Sequence, residues 1–300
     1  MKKLLVAAVG IAVLALSAGV SAWGSDVHRL ITKRAIDGLP PELKPFFMAR
    51  ADFIAEHSVD PDLWRQVDLT NQFGNEDPNH FLDFDGFNEP APFAGVPRDW
   101  KAVVQKYGAE LANKNGRVPW RAEEIFNKMV ASFADLQKFP QGYGGENARY
   151  QAAVLAHYVE DAHQPFHAVM NYDGQLTNQR GIHARFETEL VLRNKATLKL
   201  TPVKIVPVPD IKTFIFDALL DDQPIATAVL AADKKAAEGR ELYDDAYFAD
   251  FAKNGALAAA EKRVSDSASA VASAWVAAWE KAGKPKLPDD GPRTPARIRK

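Results

Sequence analysis

Apolar residues recur every three to four positions over most of this chain, the spacing of amphipathic helices packed on one another. Val27, Leu30, Ile31 and Ile36 mark a first helix, capped by Ser25 or Asp26 and running to about Gly38. A second is predicted from about Pro41, a good first-turn proline, to His57. Helices follow over 98–113, closed by Asn115-Gly116, over 119–138, and from Glu146 to about Met170. Another begins near Gly181 and continues past Arg193. Three more come after it, the last over 255–282 with Val271, Trp275 and Trp279 along one stripe. LKLTPVKIVPVP (198–209) reads as extended, and its prolines make it a linker or surface strand rather than part of a sheet core. The pattern predicts an all-α protein with one multi-helix domain over residues 23–284.

Three segments stand outside that pattern. Residues 58–96 are rich in Pro, Asp, Asn and Gly and read as a long, ordered loop, a kind that usually carries function. Residues 285–300, PKLPDDGPRTPARIRK, have the composition of a disordered tail. The chain opens MKKLLVAAVGIAVLALSAGVSA, with two lysines, an apolar run short for a membrane span, and small residues at Val20 and Ala22. That layout predicts a signal peptide over 1–22, cut after Ala22, and export to the periplasm or out of the cell.

Composition changes this picture in two ways. Losing Lys2 and Lys3 with the leader moves the formal charge from -2 to about -4, so there is no basic bias of the kind that marks duplex-binding proteins. The chain has no cysteine, which excludes disulfides, thiolate zinc sites and lipoprotein attachment.

Histidine is sparse, at 7 residues, yet three of them fall in HYVEDAHQPFH (157–167). His157 and Asp161 are four apart and share a helix face, Pro165 interrupts, and His167 follows. His183 and Glu187 repeat the four-residue spacing on a separate helix. Imidazole and carboxylate without thiolate suit zinc or another first-row divalent ion. Cleavage after Ala22 would make Trp23 the first residue, with His28 five positions on. A free α-amine, with an ordinary pKa of ~7.7–8.0, can then chelate a metal together with the Trp23 carbonyl.

In this set of residues the chain resembles the zinc-dependent phospholipase C superfamily, which also contains the single-strand-specific nucleases. The family's ligand order is an N-terminal Trp, His, Asp, His, H-x3-D-x5-H and H-x3-E or H-x3-D. Trp23, His28, an aspartate of VDPDLWR, His80 of HFLDFD, His157, Asp161, His167, His183 and Glu187 follow the same order. The aspartate is Asp60 or Asp62. Asp62 is preferred because it follows a proline and begins a D-x-x-R pattern with Arg65, which in the nuclease branch contacts phosphate. The resemblance implies an all-helical fold with a central site for three zinc ions. One would be held by Asp62, His80, His157 and Asp161, a second by His167, His183 and Glu187, and a third by the Trp23 amine and carbonyl with His28, Asp161 bridging. It also implies hydrolysis of a phosphodiester by zinc-activated water, with Asp62 and Arg65 as catalytic residues.

The substrate branch stays open between phospholipid and single-stranded nucleic acid. GIHARFETEL is similar to the phospholipase motif, whereas the Trp23–His28 step, D-x-x-R and HQPFH are similar to the nucleases. Phe81, Phe84, Phe87 and Phe93 have three possible fates: insertion in lipid, stacking on bases, or burial. Asp83 and Asp85 either orient His80 or cap the loop, and His57 and His163 are left over from the ligand set. A catalytically silent zinc-binding protein of the same fold is the alternative reading.

Overall fold

The computed structural model describes residues 23–67, 75–140 and 142–288. These are mostly helical, and the described residues form no strand, only one isolated bridge between Leu82 and Gly116. The leader reading of residues 1–22 lies outside the described residues, as do 289–300. No described helix is long and apolar enough to cross a membrane.

α1 (Ser25–Asp37) is followed by three short helices, α2 (Lys44–Met48), α3 (Ala51–His57) and α4 (Asp60–Val67). The single helix expected over 41–57 is therefore broken, because Arg50 leaves helical geometry at φ -139°. The expected loop starts later than its composition implies, since α4 occupies its first residues. Two 3-10 turns, Asp77–His80 and Phe84–Phe87, then carry the chain to α5 (Trp100–Tyr107) and α6 (Ala109–Lys114), which Gly108 separates at φ +82°.

α7 (Val118–Lys138) and α8 (Gly144–Asp161) form the central hairpin. α8 is the spine, buried from Ala152 to its end. A helix buried on all sides should be apolar throughout, so the buried polar residues from Ala152 onward, His157, Glu160 and Asp161, are the informative exceptions. The helix expected to reach Met170 stops at Asp161. Pro165 forces Gln164 into extended geometry (φ -99°, ψ 113°), and a 3-10 turn, Pro165–His167, replaces the continuation.

α9 (Ile182–Ala184), a π-helical segment (Arg185–Leu190) and α10 (Val191–Arg193) run on as one rod. α11 (Ile211–Ala237), α12 (Asp245–Phe251) and α13 (Leu257–Lys281) complete the body. Trp275 of α13 stacks on Phe47 and donates Nε1–H to Ala152 O of α8 (3.0 Å).

The extended stretch 198–209 is strapped along α13. Backbone N–H groups of Lys199, Thr201, Lys204 and Val206 donate to Glu261, Ser265, Ser269 and Ser273 at 2.7–3.2 Å. Those acceptors recur every four residues, so one helix face satisfies the donors of a chain with no strand partner. The expected tail begins inside the body. Trp279 donates to Pro285 O and Leu287 is buried in the main core cluster.

Candidate metal centre

Six elements converge on the end of α8. α1 brings His28, α4 brings Asp62, the turn 77–80 brings His80, α8 itself supplies His157 and Asp161, the Pro165–His167 turn gives His167, and the 182–190 helix gives His183 and Glu187. All eight are buried. Asp161 is the hub. Its Oδ2 lies 2.9 Å from His80 Nδ1 and 3.2 Å from His157 Nε2, and its Oδ1 lies 3.7 Å from His28 Nε2 and 3.8 Å from His167 Nδ1. A second focus joins His183 Nε2 to Glu187 Oε2 at 2.9 Å. Three groups, His28–Asp62–His157, His80–His157–Asp161 and His167–His183–Glu187, bring their ligand atoms within 4.8 Å of one another and could hold metal ions.

The choice between the two loop aspartates is made by α4. Asp60 accepts from His57 Nδ1 (2.8 Å) and Tyr150 Oη (3.1 Å), away from the hub. Asp62 Oδ1 lies 3.8 Å from His80 Nδ1 and 3.9 Å from His157 Nε2. His57 is thus a partner of Asp60. His163 donates Nδ1–H to Val159 O (2.7 Å) outside the cluster.

The imidazoles are oriented from behind. His157 donates Nδ1–H to Ser58 O (2.8 Å), His167 to His80 O (2.7 Å), and His183 to Tyr172 O (3.0 Å). A carbonyl only accepts, so each Nδ1 carries the hydrogen, and Nε2 of His157 and His167 is left for a cation, either a proton or a metal, while that of His183 faces Gln164 and Glu187. His28 Nδ1 is held by the Glu160 carboxylate, whose other oxygen accepts from Thr32 Oγ1 (2.7 Å). On the inner side, His28 Nε2 and Asp161 Oδ1 are buried without a hydrogen-bond partner, while His80 turns Nδ1 to the hub and Nε2 toward Glu76 (3.8 Å). Buried polar atoms are seldom left so, and here they belong to residues of the candidate groups. The donor set fits a metal.

Charge supports the same fit. Burial opposes a proton on His157, but Asp161, Asp62 and Glu160 outweigh it and push its pKa up to about 9. Burial would raise Asp161, yet the charge and hydrogen bond of His157, with a hydrogen bond from His80, hold it well below the usual carboxylate range. Burial pushes His167 down to about 3, so its Nε2 lone pair is free near neutrality. Without a metal, protons supply the positive charge the buried carboxylates require. Metal binding would release them.

Trp23 is fully buried, with its indole Nε1–H donated to Glu160 O (2.9 Å). A Cβ at Gly24 would collide with the Thr188 side chain, so glycine lets the segment Trp23–Gly24 lie between the end of α8 and the π-helical segment.

A cleft of about 510 Å³ opens onto the centre, lined by His80, His167 and His183 with Arg65, Phe81, Met170 and Tyr172. Arg65 is 23% exposed there and pairs with Asp77 (2.8 Å) and Asp62 (3.3 Å). Of Phe81, Phe84, Phe87 and Phe93, Phe81 alone lines the cleft. Phe84 and Phe87 are buried, and Phe93 stacks on Phe84. Asp85 accepts from Met170 N (2.8 Å), while Asp83 lines the cleft, its carboxyl raised well above the usual range by burial beside Asp85.

Glu160 and Gln164 are functional neighbours that the ligand spacing does not announce. Gln164 Oε1 accepts from Phe166 N (2.6 Å), which fixes its amide so that Nε2–H reaches both His183 Nε2 (2.7 Å) and Glu187 Oε2 (2.9 Å). The one available signal is a polar residue inside an otherwise apolar helix or next to a proline. Compared with known proteins, the chain matches no family model and no curated protein.

Proposed function

We propose that this is an exported, zinc-dependent phosphodiester hydrolase of the phospholipase C and single-strand nuclease type, with three ions. The observation that carries the reading is the common orientation of His157, His167 and His183, each tied at Nδ1 to a backbone carbonyl with Nε2 presented to the carboxylate-rich interior. Zinc held by these residues would supply Lewis-acid charge toward a phosphoryl oxygen and lower the pKa of water toward neutrality.

The chain's residues do the rest. Three dipositive ions against Asp62, Glu160, Asp161 and Glu187 would leave the pocket at about +2, which would draw a compact anion to a protein of net negative charge. Arg65 lines the cleft between two carboxylates and is placed to contact a phosphate oxygen. Asp62, beside both Arg65 and the hub, is placed to take the nucleophile's proton. Removal of the leader would free the Trp23 amine as a further ligand beside His28.

Single-stranded nucleic acid is favoured over phospholipid. Burial of Phe84 and Phe87 withdraws those two rings from a bilayer, whereas Phe81 and Tyr172 line the cleft, where bases would stack. The test is incubation of the processed protein and zinc with single-stranded DNA and, separately, phosphatidylcholine vesicles, each with and without chelator. Chelator-sensitive DNA cleavage supports the reading, and phosphocholine release moves it to the lipid branch. Metal binding without either product would leave a silent zinc-binding protein.

A further inference from the structure

His183 and Glu187 lie on a rod that leaves α-helical register between them. Arg185–Leu190 is π-helical, and such turns are rare and concentrate at functional sites. Arg185 sits midway between the two candidate ligands. Two residues along a helix turn a side chain by about 200°, so Arg185 points away from the face that His183 and Glu187 share. It is 4% exposed, does not line the cleft, and enters a separate buried cluster. Its Nη2 and Nε donate to Asp233 Oδ1 (3.0 and 3.3 Å), and Nε also reaches Tyr247 Oη (3.2 Å). Nη1 and Nη2 donate to Arg180 O (2.8 Å) and Gln179 O (3.1 Å). Tyr247 donates to the same Asp233 oxygen, and Gln179 Nε2 donates to the other (2.6 Å).

We propose that Arg185, Asp233 and Tyr247 are positioning residues for the metal triad His167–His183–Glu187. The inference rests on the metal reading of the site. The guanidinium pulls the back of the rod onto α11 and α12, and this sets the rotation that presents His183 Nε2 and Glu187 Oε2 to one ion. The cluster touches neither cleft nor ligand, so its effect must pass through the helix. A lysine would keep the charge but not the planar fork that holds Asp233 and two carbonyls at once.

The test measures zinc per chain, zinc affinity by competition with a chelating dye, and the visible absorption of the cobalt-substituted protein. It compares the full processed chain with Asp233→Asn, Tyr247→Phe and Arg185→Lys, with Glu187→Gln as the reference for a lost ligand. Far-UV circular dichroism and the unfolding temperature in chelator report folding separately. One class of ion should bind about 10–100-fold more weakly in Asp233→Asn and Arg185→Lys, with a smaller loss in Tyr247→Phe. The cobalt band lost should be the one lost in Glu187→Gln. Variants that unfold at lower temperature in chelator yet keep every ion at unaltered affinity would overturn the proposal. If Asp233→Asn does not fold, Tyr247→Phe decides by the same criteria. A wild-type chain that binds no zinc would instead overturn the metal reading itself.

Discussion

Replacing Asp161 by asparagine keeps the size of the side chain and removes the charge at the hub. The carboxylate lies within 4 Å of ring nitrogens on His28, His80, His157 and His167, and all five residues are buried. Without metal, Asp161 is the largest single support for the charge on His157, whose pKa stands at about 9 against the opposing effect of burial. Removing one partner of such a pair costs about 3–5 kcal/mol. At about 2–4 °C per kcal/mol for a chain of this size, the unfolding temperature in chelator should fall by roughly 6–20 °C.

The metal-loaded protein should lose more. An ion present at 100 times its dissociation constant adds ~2.7 kcal/mol, and the ions that Asp161 holds should lose that contribution. His167, His183 and Glu187 share no residue with the Asp161 group and should retain theirs, whereas His28–Asp62–His157 shares His157 with it and has Asp161 3.7 Å from His28. Metal content after dialysis should fall from about three zinc ions to about one, read by elemental analysis beside unfolding scans with and without chelator. Retention of all ions, or loss of all together, would refute the partition of the site.

The other predictions use the same reasoning. Arg65→Ala should lower kcat/KM on a phosphodiester much less than Asp161→Asn does, because Arg65 already shares its charge with Asp77 and Asp62; equal losses in steady-state assays would contradict this. Glu160→Gln should weaken zinc binding about 10–100-fold by loosening His28, measured by dye competition, with kcat recovering at saturating zinc. His163, pushed down to about 3 by burial and by Arg263, stays neutral in the fold but takes a proton near pH 6.5 when unfolded. Its contribution is therefore present above pH 6.5 and lost as pH falls toward 3, at about 1.4 kcal/mol per pH unit. His163→Gln should flatten that part of the acid-stability profile of the chelated protein, and an unchanged slope would show that other groups set it.

The helical class and the two candidate ligand pairs were legible in the sequence because they are local. Apolar periodicity reports α7, α8 and α13 directly, and His157–Asp161 and His183–Glu187 are four apart on single helices. Proline chemistry was legible too, although Pro165 ended α8 where a longer helix was expected. The loop aspartate was not. Asp60 and Asp62 have the same chemistry, and only the rotation of α4, about 200° between them, sends one to His57 and Tyr150 and the other to the hub.

Nor could spacing find the groups that orient the imidazoles. The carbonyls of Ser58, His80 and Tyr172 have no side-chain signature, and Glu160 and Gln164 gain meaning only once α1 and the 182–190 helix are packed against them. The fate of the loop phenylalanines is likewise a matter of packing, since Phe84 and Phe87 are buried while Phe81 lines the cleft. Sequence by itself determined which residues are able to bind a metal, because donor chemistry and helical spacing are properties of a few neighbouring positions. Tertiary structure decided which of them meet and which nitrogen each imidazole presents, because those depend on backbone acceptors up to 99 residues away.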